Sequence, residues 1–197
     1  LSEAGKKPRS ISESATDGPS LSRSKGSEFL ATARQFNGLS ENNRSENLTL
    51  QSFLKGAGVQ NIDPKITAWC AAFVNAVLAT NGVKGNGALT AASFKTYGQG
   101  VDKPQLGDIV VLKPRRGKKE TGHVGFYAGK GKNGGVLVTG GNQGDEVSTD
   151  EFALNRVAAY RRAPNADQQS ALDTAKARAL EQFANELQKI DQLTQRI

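Results

Sequence analysis

Hydrophobic residues recur at helical spacing in the first half of the chain and at alternating spacing in the second half. The predicted helices begin behind Ser27, cover 50–57 and 67–81, and include a short turn of helix at 90–97. The polar run 40–47 is predicted to be a surface loop. The predicted strands are 107–112, 122–128, 136–139 and 156–161. Because neighbouring strands are joined by short connections and the helices precede them, we expect the α+β class, with helices packed on an antiparallel sheet of about four or more strands.

Both ends of the chain depart from this pattern. Residues 1–26 are rich in Ser, Gly, Lys and Pro and poor in large apolar residues, which predicts a linker-like or flexible segment. Residues 164–197 hold apolar side chains at seven-residue spacing, which predicts an amphipathic helix of about 30 residues. This helix could dock on the domain, form a coiled coil for self-association, or continue into a longer protein. The remaining segment, 27–163, is the predicted folded domain.

Composition excludes several classes of protein. No apolar run reaches the ~18 residues of a membrane span, and no signal peptide is visible. The chain starts at Leu1 and contains no methionine, so we expect a processed product or a piece of a longer protein. The net charge of +7 lies wholly between residues 29 and 162. The basic run 113–119 is either a solvated loop or a surface that attracts a polyanion, such as nucleic acid or a cell wall bearing carboxylates and phosphates. No aromatic residue interrupts the run, so we expect no nucleic-acid binding.

The only cysteine, Cys70, follows the only tryptophan, Trp69, near the start of a predicted helix. With Thr67 as the N-cap, Cys70 falls in the first turn, where unpaired backbone N–H groups favour an anion. We therefore expect the pKa of this thiol to be depressed and the thiol to be partly ionised near neutral pH. The alternative is a small buried apolar residue, which is the commonest state of a free cysteine.

The only histidine, His123, stands at the head of a predicted strand. Alone it could be a surface or hydrogen-bonded residue, but a cysteine peptidase needs such a partner. The imidazole takes the proton of the thiol and later protonates the leaving amine. The sequence therefore indicates a thiol–imidazole pair formed by Cys70 and His123.

A third group must orient the imidazole, and an amide oxygen suits this role. Asn142 and Gln143 both follow the third predicted strand, and neighbouring residues of a strand point to opposite faces, so one of them faces the ring. We predict Asn142, because a shorter side chain fixes the ring at lower entropy cost, although its glycine-rich surroundings also suit a plain turn residue.

Four sequence blocks occur in a characteristic order, and they are Trp69–Asn75, Gly107–Val111, Gly122–Tyr127 and Gly140–Gln143. Together they resemble the cell-wall hydrolases of the NlpC-type and CHAP superfamily, across roughly residues 29–162. The resemblance implies a papain-like fold that hydrolyses amide bonds in peptidoglycan through an acyl-enzyme.

Carried over by position, the resemblance makes Cys70 the nucleophile, His123 the base and Asn142 the orienting asparagine. The sequence departs from the family at two positions. Many CHAP members carry a glutamate where this chain has Gly140, and the proline that often directly precedes Gly-Asp stands at Pro104.

Trp69, Tyr97 and Gln143 are candidates for binding the substrate, with packing in the core as the alternative for the two aromatic residues. We expect no cofactor and no metal, because one histidine and one cysteine cannot fill a zinc site.

The expected partner is peptidoglycan, cut as an endopeptidase or as an N-acetylmuramoyl-L-alanine amidase. We expect action in the periplasm or at the cell wall, as a module of a larger phage or delivery protein. The alternatives are an idle binding module of a virion, and a thiol transferase or deamidase on the same fold.

Overall fold

The computed structural model describes residues 24–60, 62–115 and 122–194. Its α-helices are α1 (Lys25–Arg34), α2 (Arg44–Gly56), α3 (Cys70–Thr80) and α4 (Ala166–Thr194), and short 3-10 helices lie at Ala91–Thr96 and Leu154–Arg156. The strands are β1 (Gln99–Gly100), β2 (Ile109–Leu112), β3 (His123–Lys130), β4 (Val136–Gly140), β5 (Ser148–Phe152) and β6 (Val157–Arg162). They form an antiparallel sheet in the order β1-β6-β2-β3-β4-β5. The predicted α+β class is confirmed.

The sheet separates two layers of apolar side chains. Alternate residues of β2 point to opposite faces, so Ile109 and Val111 join the main core while Val110 and Leu112 join a smaller cluster. Helices α1 and α3 cover the main face, where Phe29 and Phe126 have ring centroids 6.2 Å apart. Strand β2 is therefore buried on both faces, which explains its run of β-branched residues.

Helix α3 is buried on all sides. Every residue from Cys70 to Leu78 is buried, so this part of the helix has no solvent-facing stripe. The helix begins at Cys70 and has no side-chain cap. The predicted cap, Thr67, instead donates its backbone N–H to the carbonyl of Asp63 in the preceding turn. Cys70 is thus the first residue of the helix.

Three other element predictions differ from the structure. Helix α1 begins at Lys25, with Ser24 as its cap in place of Ser27. Helix α2 begins inside the polar run predicted as a loop, because the Asn43 side chain accepts from two backbone N–H groups of the first turn. The edge strands β1 and β5 were not predicted, and β5 consists mainly of Ser, Thr, Asp and Glu, which give no apolar alternation.

The start of α3 packs closely on the end of β4. A Cβ atom added at Gly141 would collide with the indole of Trp69 and would lie 2.9 Å from the Cβ of Phe73. The indole N–H of Trp69 donates to the buried carboxylate of Glu41, which fixes the ring from its other edge. The lack of a side chain at residue 141 therefore allows the helix that begins at Cys70 to approach the sheet.

The predicted C-terminal amphipathic helix is present as α4. Its apolar side chains are exposed, with Leu180 at 69%, Phe183 at 64%, Leu187 at 51% and Ile190 at 59%. This part of the helix therefore does not dock on its own domain. Among the described residues, no helix is both long and apolar enough to cross a membrane. The predicted linker lies outside the described residues up to position 23.

Removal of α4 should leave the rest of the domain folded, because its exposed side chains contribute little to the core. We expect a chain that ends at residue 165 to unfold within about 3 °C of the full chain, a shift that corresponds to ~1 kcal/mol for a domain of this size. Thermal unfolding followed by circular dichroism measures this. A loss of cooperative unfolding would show that α4 supports the core.

Substitution of Gly141 tests the contact between α3 and the sheet. We expect Gly141→Ala to lower the free energy of unfolding by about 1–3 kcal/mol, the usual cost of overpacking. The matched control is Gly56→Ala at the end of α2, where an added Cβ meets nothing within 4 Å. Urea denaturation should find the control at least as stable as the parent, and equal stability of both variants would contradict the contact.

Candidate active site

Cys70 and His123 line one cavity of about 480 Å³. Cys70 enters it from the first residue of α3, and His123 enters it from the first residue of β3. The contact between α3 and β3 therefore brings together two residues that are far apart in the sequence. The only cysteine and the only histidine of the sequence therefore line one cavity, and their predicted pairing as thiol and imidazole stays a prediction.

The thiol of Cys70 lies among backbone N–H groups but away from solvent. The backbone N–H groups of Val124, Ala71 and Cys70 itself act to lower the pKa of the thiol, because they favour the thiolate. Burial acts in the opposite direction and is the larger effect, so the pKa of Cys70 is raised. The prediction of a depressed pKa is therefore wrong, because the effect of burial on the thiol exceeds that of the donors at the helix start.

The imidazole of His123 is held on its edge and on its face. Its Nε2 lies 2.8 Å from Oε1 of Gln143. The ring of Phe152 stacks on it with centroids 5.7 Å apart and an angle of 23° between planes. The orientation of the ring is thus set by Gln143 and by a side chain of β5.

The contact predicted for Asn142 is made by Gln143, so that prediction is wrong. Asn142 has a φ of +61°, which ends the strand alternation on which the choice between the two amides rested. Gln143 then turns inward and is buried, and its backbone N–H donates to the carbonyl of Glu146. Asn142 still lines the cavity, but among the described residues no hydrogen bond joins it to His123.

Gly140 provides the space that Gln143 uses. A Cβ atom added at residue 140 would lie 3.1 Å from Oε1 of Gln143 and 3.2 Å from Nε2 of His123. A larger side chain there would compete with the amide for the edge of the ring. The position that often carries glutamate in the family has no side chain in this chain. Gln143, three residues later in the sequence, occupies the space beside the imidazole.

The two aromatic candidates for substrate binding do not line the cavity. Trp69 is completely buried, so the core-packing alternative is correct for this residue. Tyr97 lies in a separate groove beside the start of α4, and its hydroxyl donates to the carbonyl of Lys84 at 2.9 Å. Burial raises the pKa of Tyr97 to about 12.

The carboxylate that holds Trp69 is itself perturbed. Burial raises the pKa of Glu41, and the negative charges of Asp145 and Asp63 act in the same direction. The hydrogen bond from the indole opposes this shift. The residue beside the thiol is therefore anchored by a buried polar contact as well as by packing.

Strand β5 and the turn after it supply cavity residues that the sequence analysis missed. Asp150, Phe152 and Arg156 line the cavity, and the Arg156 guanidinium lies 5.5 Å from the centre of the Phe152 ring. Arg156 also donates to the carbonyl of Lys113 through Nε at 3.3 Å and Nη2 at 2.9 Å. The sequence could have revealed these residues only through the strand period of residues 148, 150 and 152. Because two of these three residues are polar, they show no apolar alternation.

A helix that begins with Cys70 and packs on an antiparallel sheet bearing His123, with both residues lining one cavity, is the arrangement expected of the predicted papain-like α+β fold. Residues 62–142 match the family model of the CHAP domain. The predicted resemblance to the NlpC-type and CHAP superfamily is confirmed over this segment, 62–142. The match supports a function of the peptidoglycan hydrolase type.

The comparisons with solved structures and with curated proteins give weaker similarity. One solved structure, an NlpC/P60 family protein from Bacillus cereus ATCC 10987, aligns with a TM-score of 0.45 and 17% identity. The alignment covers 70% of this chain and 40% of that protein. No curated protein matches the sequence. Among the described residues, no group of three or more His, Cys, Asp or Glu could hold a metal ion.

The contact between Gln143 and His123 predicts how fast the thiol reacts. We expect Gln143→Ala to slow alkylation of Cys70 by iodoacetamide at pH 7 by about tenfold or more, since a hydrogen bond to a charged group is worth about 1.5–3 kcal/mol. Asn142→Ala should have a much smaller effect. Mass spectrometry follows the label on the single cysteine, and the opposite ranking in two folded variants would return the role to Asn142.

Proposed function

We propose that the chain hydrolyses amide bonds of peptidoglycan, with Cys70 as the nucleophile, His123 as the base and Gln143 as the residue that orients the base. The observation that carries the proposal is the position of the Cys70 thiol. Cys70 lines the same cavity as His123, and the backbone N–H of Val124, the residue that follows His123, favours the thiolate form. The CHAP match over residues 62–142 supports the same class of reaction.

The reaction begins with a protonated thiol, because burial raises the pKa of Cys70. His123 takes the thiol proton while the sulfur forms a bond to the carbonyl carbon of the substrate. Collapse of the tetrahedral intermediate breaks the carbon–nitrogen bond, and His123 gives the proton to the leaving amine. A water molecule then attacks the thioester as His123 takes its proton. Release of the acid returns that proton to the sulfur of Cys70.

The backbone donors around Cys70 suit the negative charge that develops during attack. The N–H groups of Cys70 and Ala71 belong to the start of α3, where they have no partner within the helix. Donors of this kind can contribute about 10²–10³ in rate when they contact the oxyanion. Exclusion of water from the buried thiol strengthens these interactions. The same burial that raises the pKa of Cys70 therefore favours the transition state.

The charge of the cavity wall suits a substrate that carries carboxylates. Arg115 and Arg156 line the cavity, and the charge of the whole chain is +7. The peptide part of peptidoglycan bears such groups. The scissile bond is either the amide between muramic acid and alanine or a bond within the stem peptide, and the products decide between an amidase and an endopeptidase.

We further propose that the chain works at the cell wall or in the periplasm, as a module of a larger phage or delivery protein. The support is the exposed apolar side of α4, which suits contact with the rest of such a protein or with a second copy of the chain. Peptidoglycan remains the proposed partner of the cavity itself.

Replacement of the nucleophile tests the reaction. Cys70→Ser should keep the fold, because oxygen and sulfur differ little in size, and should reduce hydrolysis to a few per cent of the parent rate or less. Serine is far harder to deprotonate than cysteine, so His123 cannot activate it equally well. The measurement is release of soluble fragments from purified peptidoglycan, with mass spectrometry of the new ends.

The controls separate the alternatives. Circular dichroism must show that the serine variant is folded. Digestion by that variant at the parent rate would exclude Cys70 as the nucleophile. Products joined to an added amine in place of water would indicate a transferase. An unchanged substrate with a fully reactive thiol would indicate an idle module.

A further inference from the structure

We propose that Asp150 is a positioning residue that acts on His123 through the side-chain amide of Gln143, an inference that rests on the proposed function. Asp150 lies on the edge strand β5 and lines the same cavity as Cys70 and His123. Among the described residues, no hydrogen bond joins it to the imidazole. Its carboxylate contacts the opposite end of the amide whose oxygen faces the ring.

The amide of Gln143 has one favourable orientation. Its Nε2 lies within hydrogen-bonding distance of the carbonyls of Val138 (3.2 Å) and Ser148 (3.1 Å), of Oγ of Ser148 (3.0 Å), and of Oδ2 of Asp150 (3.3 Å). A flipped amide would place its own oxygen against these acceptors, so Oε1 is directed at His123. The neutral imidazole then carries its proton on Nε2, which leaves Nδ1 as the nitrogen that accepts a proton.

The charge of Asp150 adds to this geometric effect. During attack the imidazole becomes positively charged, and the other charged side chains of the described cavity wall, Arg115 and Arg156, are both cationic. Asp150 is the only carboxylate among the described residues of this wall. Its negative charge polarises the Gln143 amide, so that Oε1 becomes a stronger acceptor for the imidazolium. Asp150 therefore favours transfer of the thiol proton to His123.

The geometry of β5 holds Asp150 in place. Ser148, Asp150 and Phe152 alternate along the strand and so share one face. The Ser148 hydroxyl donates to Oδ2 of Asp150 at 2.8 Å, and Phe152 stacks on the His123 ring. One face of one edge strand thus fixes both the plane of the imidazole and the amide on its edge.

The test uses the pH dependence of Cys70 alkylation by iodoacetamide in the full chain. Asp150→Asn keeps the shape of the side chain and removes its charge. We expect the midpoint of the alkylation profile to move to higher pH and the rate at pH 7 to fall about three- to tenfold, the size of a coupling within one hydrogen-bond network. The matched control is Asp102→Asn, which removes the same charge from an exposed site outside the cavity and should leave the profile unchanged.

A second background separates positioning from a general electrostatic effect. In Gln143→Ala, the substitution Asp150→Asn should cause no further change, because the amide that connects Asp150 to the ring is gone. An equal shift in both backgrounds, or no shift in the parent chain, would overturn the inference. If Asp150→Asn does not fold, Ser148→Ala replaces it, and an unchanged profile for this variant would also overturn the inference.

The readout is independent of peptidoglycan. A chain that shows the Asp150 shift but does not digest peptidoglycan would refute the proposed function and keep the network. A chain that digests peptidoglycan without the shift would refute the network alone.

Discussion

The site depends on how closely the start of α3 approaches the sheet. Trp69 packs on Gly141, where no side chain intervenes, and its indole N–H is fixed by Glu41. This contact places the first residue of the helix, Cys70, beside the backbone of β3. Packing between main-chain segments therefore brings Cys70 and His123 to the same cavity.

The same close approach determines the chemistry of the thiol. A helix start on the surface of a protein would lower the pKa of a cysteine, but here the helix is surrounded by the core. Burial exceeds the effect of the backbone donors and raises the pKa of Cys70. A protonated resting thiol needs an efficient base, so the orientation of His123 by Gln143 and Phe152 gains importance. Helix α3 supplies the thiol, and the sheet supplies the oriented base that a protonated thiol needs.

Local signals in the sequence were sufficient for the fold class and for two residues that line one cavity, Cys70 and His123. The strands with apolar alternation, β2, β3, β4 and β6, were all predicted, and the rarity of Cys and His singled out Cys70 and His123. Strand β5 was missed because it is held by backbone pairing with β4. Polar residues can form such pairs without the apolar alternation that predicts a strand. The choice of Asn142 failed because a positive φ at that residue is a property of the folded turn, and alternation along a strand does not foretell it.

The order of elements along the chain has a consequence for folding. The support of the imidazole comes from β3, β4 and β5, which are consecutive hairpins and can form early from local contacts. The thiol arrives from α3, which must close a long loop to reach β3. A partly folded chain can therefore possess an oriented base without a nucleophile beside it. The proposed hydrolysis therefore needs the completed tertiary structure, and a nascent or unfolding chain would hold only half of the candidate site.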